Sequence, residues 1–104
     1  MAKKIKIIIA EDHVLYRDGL KTMLSCHNDF DIIAEAENGS ILIKLFEFHK
    51  PDIVLMDINM PILNGIEATK FITAHFDETK VIAITMNDEK SSIMDMMDAG
   101  ANGY

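Results

Sequence analysis

The sequence predicts an α/β domain built on a doubly wound parallel sheet. Three observations predict it. Short β-branched runs alternate four times with segments whose apolar residues recur at helical spacing. The connections between them are short, with no break in composition and no internal repeat. The 104 residues leave room for one domain, spanning 1–104, with a single core. Right-handed crossovers put helices on both faces of such a sheet. They also place any site at the carboxyl ends of the strands, where the strand order reverses.

The elements follow in order. Lys4 to Ala10 carries Ile5, Ile7, Ile8 and Ile9 and stops at acids, which reads as a strand buried on both faces. Tyr16, Leu20, Met23 and Leu24 form the apolar stripe of a first helix. Asp31-Ile32-Ile33-Ala34 is a short second strand. Asn38-Gly39 is a turn signal before a helix with Leu42, Leu45 and Phe46 on one face. Pro51 ends that helix and introduces a third strand, Ile53-Val54-Leu55-Met56, leading into Asp57. Residues 59–65 form a loop, and a third helix begins near Gly65 with Ile66, Phe71 and Ile72. Val81-Ile82-Ala83-Ile84 is a fourth strand ending at Thr85. Asp88 is the expected N-cap of a fourth helix bearing Ile93, Met94 and Met97, and Gly100 is its stop. Gly103-Tyr104 opens a further strand.

Composition excludes several functions. The formal charge of −7 would repel nucleic-acid phosphates, so any DNA contact belongs to another domain. No apolar run has the length of a membrane span, and the stretch after Lys3-Lys4 is too short and too acidic for an export signal, so a cytoplasmic protein without membrane contact is expected. The single cysteine, Cys26, reads as a small core residue. His13, His27, His49 and His75 lack ligand spacing and read as surface or helix-end residues, with His13 pointing away from the acids beside it.

The chemistry gathers at the strand ends. The first strand delivers Glu11 and Asp12, the third Asp57 and the fourth Thr85. If the first and third strands are neighbours, three carboxylates crowd one corner, and a raised pKa or a cation must offset their repulsion. An open oxygen site of this kind suits Mg²⁺. A carboxylate nucleophile, a divalent cation and a hydroxyl donor are the parts of phosphoryl transfer to aspartate. Taken singly, each has a plainer reading: Asp57 as a loop cap, Glu11-Asp12 as acids at a helix N-terminus, Thr85 as a β-branched strand end. Together, in register, they favour the site.

Glu11-Asp12, Asp57-Ile58-Asn59-Met60-Pro61 running to Gly65, Thr85, and Ala99-Gly100-Ala101-Asn102-Gly103-Tyr104 resemble the receiver domain of two-component response regulators. The stretch from Glu11 to Leu20 is similar to the subfamily whose receivers precede a LuxR-type helix-turn-helix. The resemblance implies a flavodoxin-like fold with strand order 2-1-3-4-5. It makes Asp57 the phosphoacceptor, charged by a sensor histidine kinase. Mg²⁺ would be ligated by Asp12, Asp57 and the Asn59 backbone carbonyl, with Glu11 acting through water. Thr85 would bond a phosphoryl oxygen, and Tyr104 would swing inward as Thr85 moves. Pro61 and Gly65 shape the loop, and Met60 packs.

The implied function is a phosphorylation-dependent switch controlling a DNA-binding output domain outside the chain. It catalyses only its own phosphorylation and dephosphorylation and is not an enzyme of metabolism. The alternative on the same fold is a phosphorylation-independent interaction module. A flavin or nucleotide binder ranks last, because Glu11-Asp12-His13 is no phosphate cradle. The methionines Met94, Met96 and Met97 read as core filler, with partner contact on the fourth helix as the minority reading. The resemblance also implies a lysine three positions past Tyr104, beyond the end of the chain. The expectation is therefore a receiver truncated in its fifth strand, less stable than a complete domain and inclined to pair with a second copy through its fourth helix or fourth strand.

Overall fold

In the computed structural model, residues 4–84 and 90–104 are described. Four strands, β1 (Ile5–Ala10), β2 (Phe30–Ala36), β3 (Ile53–Asp57) and β4 (Lys80–Ile84), alternate with four helices, α1 (Val14–Ser25), α2 (Gly39–Leu45), α3 (Gly65–His75) and α4 (Lys90–Asp98). The sheet is parallel, as the alternation predicted, and its order β2-β1-β3-β4 is the one the resemblance implied for these strands. β1 and β3 are neighbours with Ala10 opposite Met56, which brings their carboxyl ends together.

Alternation along each strand divides the side chains between two faces. Ile8 and Ala10, Val54 and Met56, and Val81 and Ala83 join one buried cluster with Leu42 and Phe46 of the α2 segment, Ala68 and Ile72 of α3, and Met96 of α4. On the other face Ile7 and Ile9 are buried, whereas Ile53, Leu55, Ile82 and Ile84 are only half-buried. α1 packs on that face and buries no residue fully. Met23, read as part of its apolar stripe, is exposed.

Helix starts are fixed by asparagines. Asn38 Oδ1 accepts from the Ile41 N–H at 2.8 Å, and Asn64 Oδ1 accepts from the Glu67 N–H at 2.9 Å, each satisfying a donor with no partner inside its helix. Asn38 therefore caps a helix that Gly39 begins. α2 ends at Leu45, six residues before Pro51, in hydrogen-bonded turns through Phe48. Gly100 adopts φ +112° after α4, the left-handed stop expected there. The expected N-cap Asp88 lies outside the described residues.

Two further expectations are corrected and a third is met. Cys26 is exposed, because α1 ends at Ser25 and Cys26 sits at its C-cap. In α4 the core methionine is Met96, while Met94 and Met97 are exposed, so the helix is turned from the phase read in the sequence. The further strand expected to open at Gly103 does meet the outer edge of β4. Ile82 forms a parallel bridge with Gly103, the Ala83 N–H donates to Gly103 O at 2.8 Å, and the Asn102 N–H donates to Val81 O at 2.7 Å.

The loop after β3 contains a strained residue. Ile62 has φ +70°, in a three-residue turn closed by the Leu63 N–H donating to Pro61 O at 2.8 Å. A β-branched side chain is disfavoured there, and its 83% exposure offers little packing in return. Ile62→Gly is expected to stabilise the protein by about 1 kcal/mol, read as a higher urea midpoint. An unchanged or lower midpoint would show that the turn is relaxed.

Candidate functional site: a carboxylate corner at the sheet's carboxyl edge

β1 ends by passing Glu11 across β2, where its N–H donates to Ala36 O at 2.9 Å. Arg17, one turn into α1, holds that corner: its guanidinium donates to Glu11 O at 2.7 Å and to Glu35 Oε1 at 3.1 Å. Lys21 meets the second Glu35 oxygen at 3.0 Å. The signal for this brace was a basic pair four residues apart on one helix, which the sequence reading did not use.

Asp57 is the last residue of β3 and is buried, at 5% exposure. Glu11 is buried at 1%. One ligand atom from each of Glu11, Asp12, His13 and Asp57 lies within 4.8 Å of all the others. The structure thus brings together the three carboxylates singled out in the sequence. It also corrects one reading, since His13 does not point away. As the N-cap residue of α1 it has extended backbone, φ −83° and ψ 111°. Its ring folds back so that Nδ1 lies 3.2 Å from Glu11 Oε2 and 3.3 Å from Asp12 Oδ1.

Burial is the main force pushing the Asp57 carboxyl up from 3.8 to about 7. A carboxyl–carboxyl hydrogen bond with Glu11 and the charges of Glu11 and Asp12 act in the same direction, against the Asn59 backbone N–H, which favours the charged form. The His13 imidazole is held above 6.5 by its hydrogen bond to Glu11 and by the charges of Asp12 and Glu11. Asp12 Oδ1 is shut off from solvent and makes no hydrogen bond among the described residues. A buried carboxyl oxygen without a donor among the described residues, beside two further carboxyl groups, fits a divalent cation, and oxygen ligands suit a hard one.

A pH dependence follows. A group whose folded pKa stands above its unfolded value contributes stability that is complete below the unfolded value and lost as pH rises through the folded one. For Asp57 that window runs from about pH 4 to about pH 7, and the raised His13 acts in the same sense above its ordinary 6.5. Without divalent cations the protein should melt at a higher temperature at pH 5 than at pH 7.5, and Mg²⁺ should narrow the gap at pH 7.5. A melting temperature that rises over this interval without metal would contradict the assignment.

Around the corner, Met60 is buried and packs as expected, Pro61 is exposed, and the Asn59 side chain is exposed. Gly65 opens α3 against the end of β3: its N–H donates to Ile58 O at 2.8 Å, and a Cβ there would stand 2.0 Å from Asp57 O. Tyr104 is 76% exposed. Thr85 lies outside the described residues. A cleft of about 450 Å³ is lined by Phe46, His49, Phe76 and Thr79 near Lys6 and Asp52, at the opposite, amino-terminal ends of the strands. No group of metal-ligating side chains converges there among the described residues.

The response regulator receiver domain family matches residues 7–104, nearly the whole chain. The chain belongs to the response regulator receiver family. It is 39% identical over 101 residues to the transcriptional regulatory protein DegU of Brevibacillus brevis, covering 97% of this chain and 43% of that protein. Its fold is similar to the signal receiver domain of the response regulator NarL from Mycobacterium tuberculosis, with TM-score 0.92 and 27% identity over 98% of this chain and 82% of that one. It is also similar to a LuxR-family DNA-binding response regulator from Staphylococcus aureus, with TM-score 0.89 and 30% identity over 96% of this chain and 83% of that one. The receiver spans about half the length of the curated relatives it matches. These relatives are transcriptional regulators, which matches the LuxR-type subfamily read from residues 11–20. Among the described residues no helix is long and apolar enough to cross a membrane.

Proposed function

We propose that this receiver is a phosphorylation-dependent switch that takes a phosphoryl group on Asp57 from the phosphohistidine of a sensor kinase. The observation that carries the reading is the buried Asp57 carboxyl at the end of β3, inside a three-carboxylate corner whose Asp12 Oδ1 has no hydrogen-bond partner among the described residues.

Asp57 is the nucleophile: a carboxylate oxygen forms the new bond to phosphorus as the bond from phosphorus to the donor's imidazole nitrogen breaks, and that nitrogen keeps the electron pair. Asp57 must be ionised to attack. Displacing its hydrogen bond with Glu11 and lowering its pKa is therefore part of activation. Asp12, Asp57 and the Asn59 backbone carbonyl would hold Mg²⁺, with Glu11 acting through water. When bound, the ion neutralises charge on the phosphoryl oxygens and on the carboxylates. The Asn59 N–H orients the Asp57 carboxylate. Arg17 fixes Glu11 through its carbonyl, and Pro61 and Gly65 shape the loop.

Thr85 bonds a phosphoryl oxygen, and Tyr104, exposed here, turns inward once Thr85 has moved. The output is a DNA-binding domain outside residues 1–104, in the cytoplasm. Exposed Met94 and Met97 on α4 offer a surface for a second copy.

Intact mass after incubation with acetyl phosphate tests the reading. One phosphoryl group gained with Mg²⁺ and none with chelator is expected. No gain under either condition would leave the phosphorylation-independent interaction module as the better account.

A further inference from the structure

His13 is the one member of the corner that the proposed switch does not use. Its Nδ1 stands 3.2 Å from Glu11 Oε2 and 3.3 Å from Asp12 Oδ1. It belongs to the same four-residue group of ligand atoms as Asp57. The His13 side chain makes no cap to α1; it is turned instead onto the buried Glu11 carboxylate and Asp12. Asp12 Oδ1 is not hydrogen-bonded to this ring, so the 3.3 Å approach is electrostatic contact alone.

Ligand atoms that share a cation at about 2.0–2.2 Å stand roughly 3–4 Å apart, so four atoms within 4.8 Å need only a small contraction to close on one ion. Three carboxylates alone would favour a hard ion such as Mg²⁺. An imidazole nitrogen adds little for Mg²⁺, but it strengthens binding of Co²⁺, Ni²⁺ and Zn²⁺.

We infer that His13 Nδ1 is a ligand for borderline transition cations, so that this receiver's metal site selects Co²⁺, Ni²⁺ or Zn²⁺ over Mg²⁺ more strongly than its carboxylates alone would. The inference rests on the reading of the corner as a cation site. An ion held by three carboxylates and an imidazole keeps fewer open positions for phosphoryl oxygens than Mg²⁺ with its waters. Such ions therefore compete with Mg²⁺ and oppose phosphorylation.

Titration of the chain with Co²⁺ and, separately, with Mg²⁺ by proton NMR tests this, alongside His13→Ala and His13→Gln. The Co²⁺ complex should show His13 ring resonances shifted far outside the diamagnetic range, absent from both variants. Both substitutions should weaken Co²⁺ about tenfold, the low end for disturbing a metal site, and Mg²⁺ by less than about twofold. Equal weakening of the two cations, or Co²⁺ binding at the corner without shifted His13 signals, would overturn the role of His13 while leaving the cation site standing. Failure of both cations to perturb residues 11–13 and 57–59 would overturn the inference together with the cation site itself.

Discussion

Gly65→Ala is expected to cost about 2–3 kcal/mol of stability, the range for forcing an extra carbon into a packed site. The reason is local and severe. A Cβ on Gly65 would lie 2.0 Å from Asp57 O and 3.0 Å from Ile58 Cα, both backbone atoms with no rotamer to retreat into. The Gly65 N–H is also committed to Ile58 O at 2.8 Å, so α3 cannot slide away without giving up that bond. Whatever strain is relieved must move the end of β3, and the Asp57 carboxyl moves with it. Denaturant unfolding should show the loss of stability, and a Mg²⁺ titration should show weaker binding. Gly19→Ala is the control, since nothing lies within 4 Å of a Cβ there. A Gly65→Ala protein with parental stability and metal affinity would mean that the β3–α3 junction is far more pliable than its packing indicates.

Asp57→Asn should have two opposite effects. It should abolish incorporation of an acid-stable, hydroxylamine-sensitive phosphoryl group, because an amide is not a nucleophile towards phosphorus. It should also stabilise the ion-free protein at pH 7.5 by about 1–3 kcal/mol, since a carboxyl raised to about 7 is ionised there at the expense of folding. At pH 4 the native carboxyl is already neutral, so the two proteins should melt close together. Asp12→Ala should instead mainly raise the Mg²⁺ requirement, because water can take the place of one ligand among several. Stoichiometric phosphorylation of Asp57→Asn on another residue, or a destabilised Asp57→Asn at pH 7.5, would go against this account of the corner.

The strands were readable because Ile5–Ala10, Ile53–Met56 and Val81–Ile84 are β-branched or apolar runs bounded by acids, proline or polar residues, and such runs have few alternatives to a central parallel strand. The three carboxylates followed from the same reading, once β1 and β3 were taken as neighbours. What escaped depends on rotation and direction, to which residue type is indifferent. In α4, Ile93, Met94, Met96 and Met97 are all apolar, so pattern alone cannot tell which methionine faces the core, and Met96 does. At Cys26 the reading failed because the helix stops one residue earlier, and a C-cap position faces water. The His13 ring turns back on Glu11 because the backbone is extended at the N-cap. The only hint in the sequence was a histidine directly following two acids. Ile62 at φ +70° also left no trace, since its residue type argues against that conformation.

The most direct test of the phosphoacceptor assignment is to trap the modified residue. Protein treated with acetyl phosphate and Mg²⁺ is reduced with borohydride, which converts an aspartyl phosphate to homoserine, and peptide mass spectrometry locates the change. The account predicts homoserine at position 57 alone, dependent on Mg²⁺. Homoserine at 12, or a borohydride-resistant phosphate on a hydroxyl or imidazole side chain with position 57 intact, would contradict it.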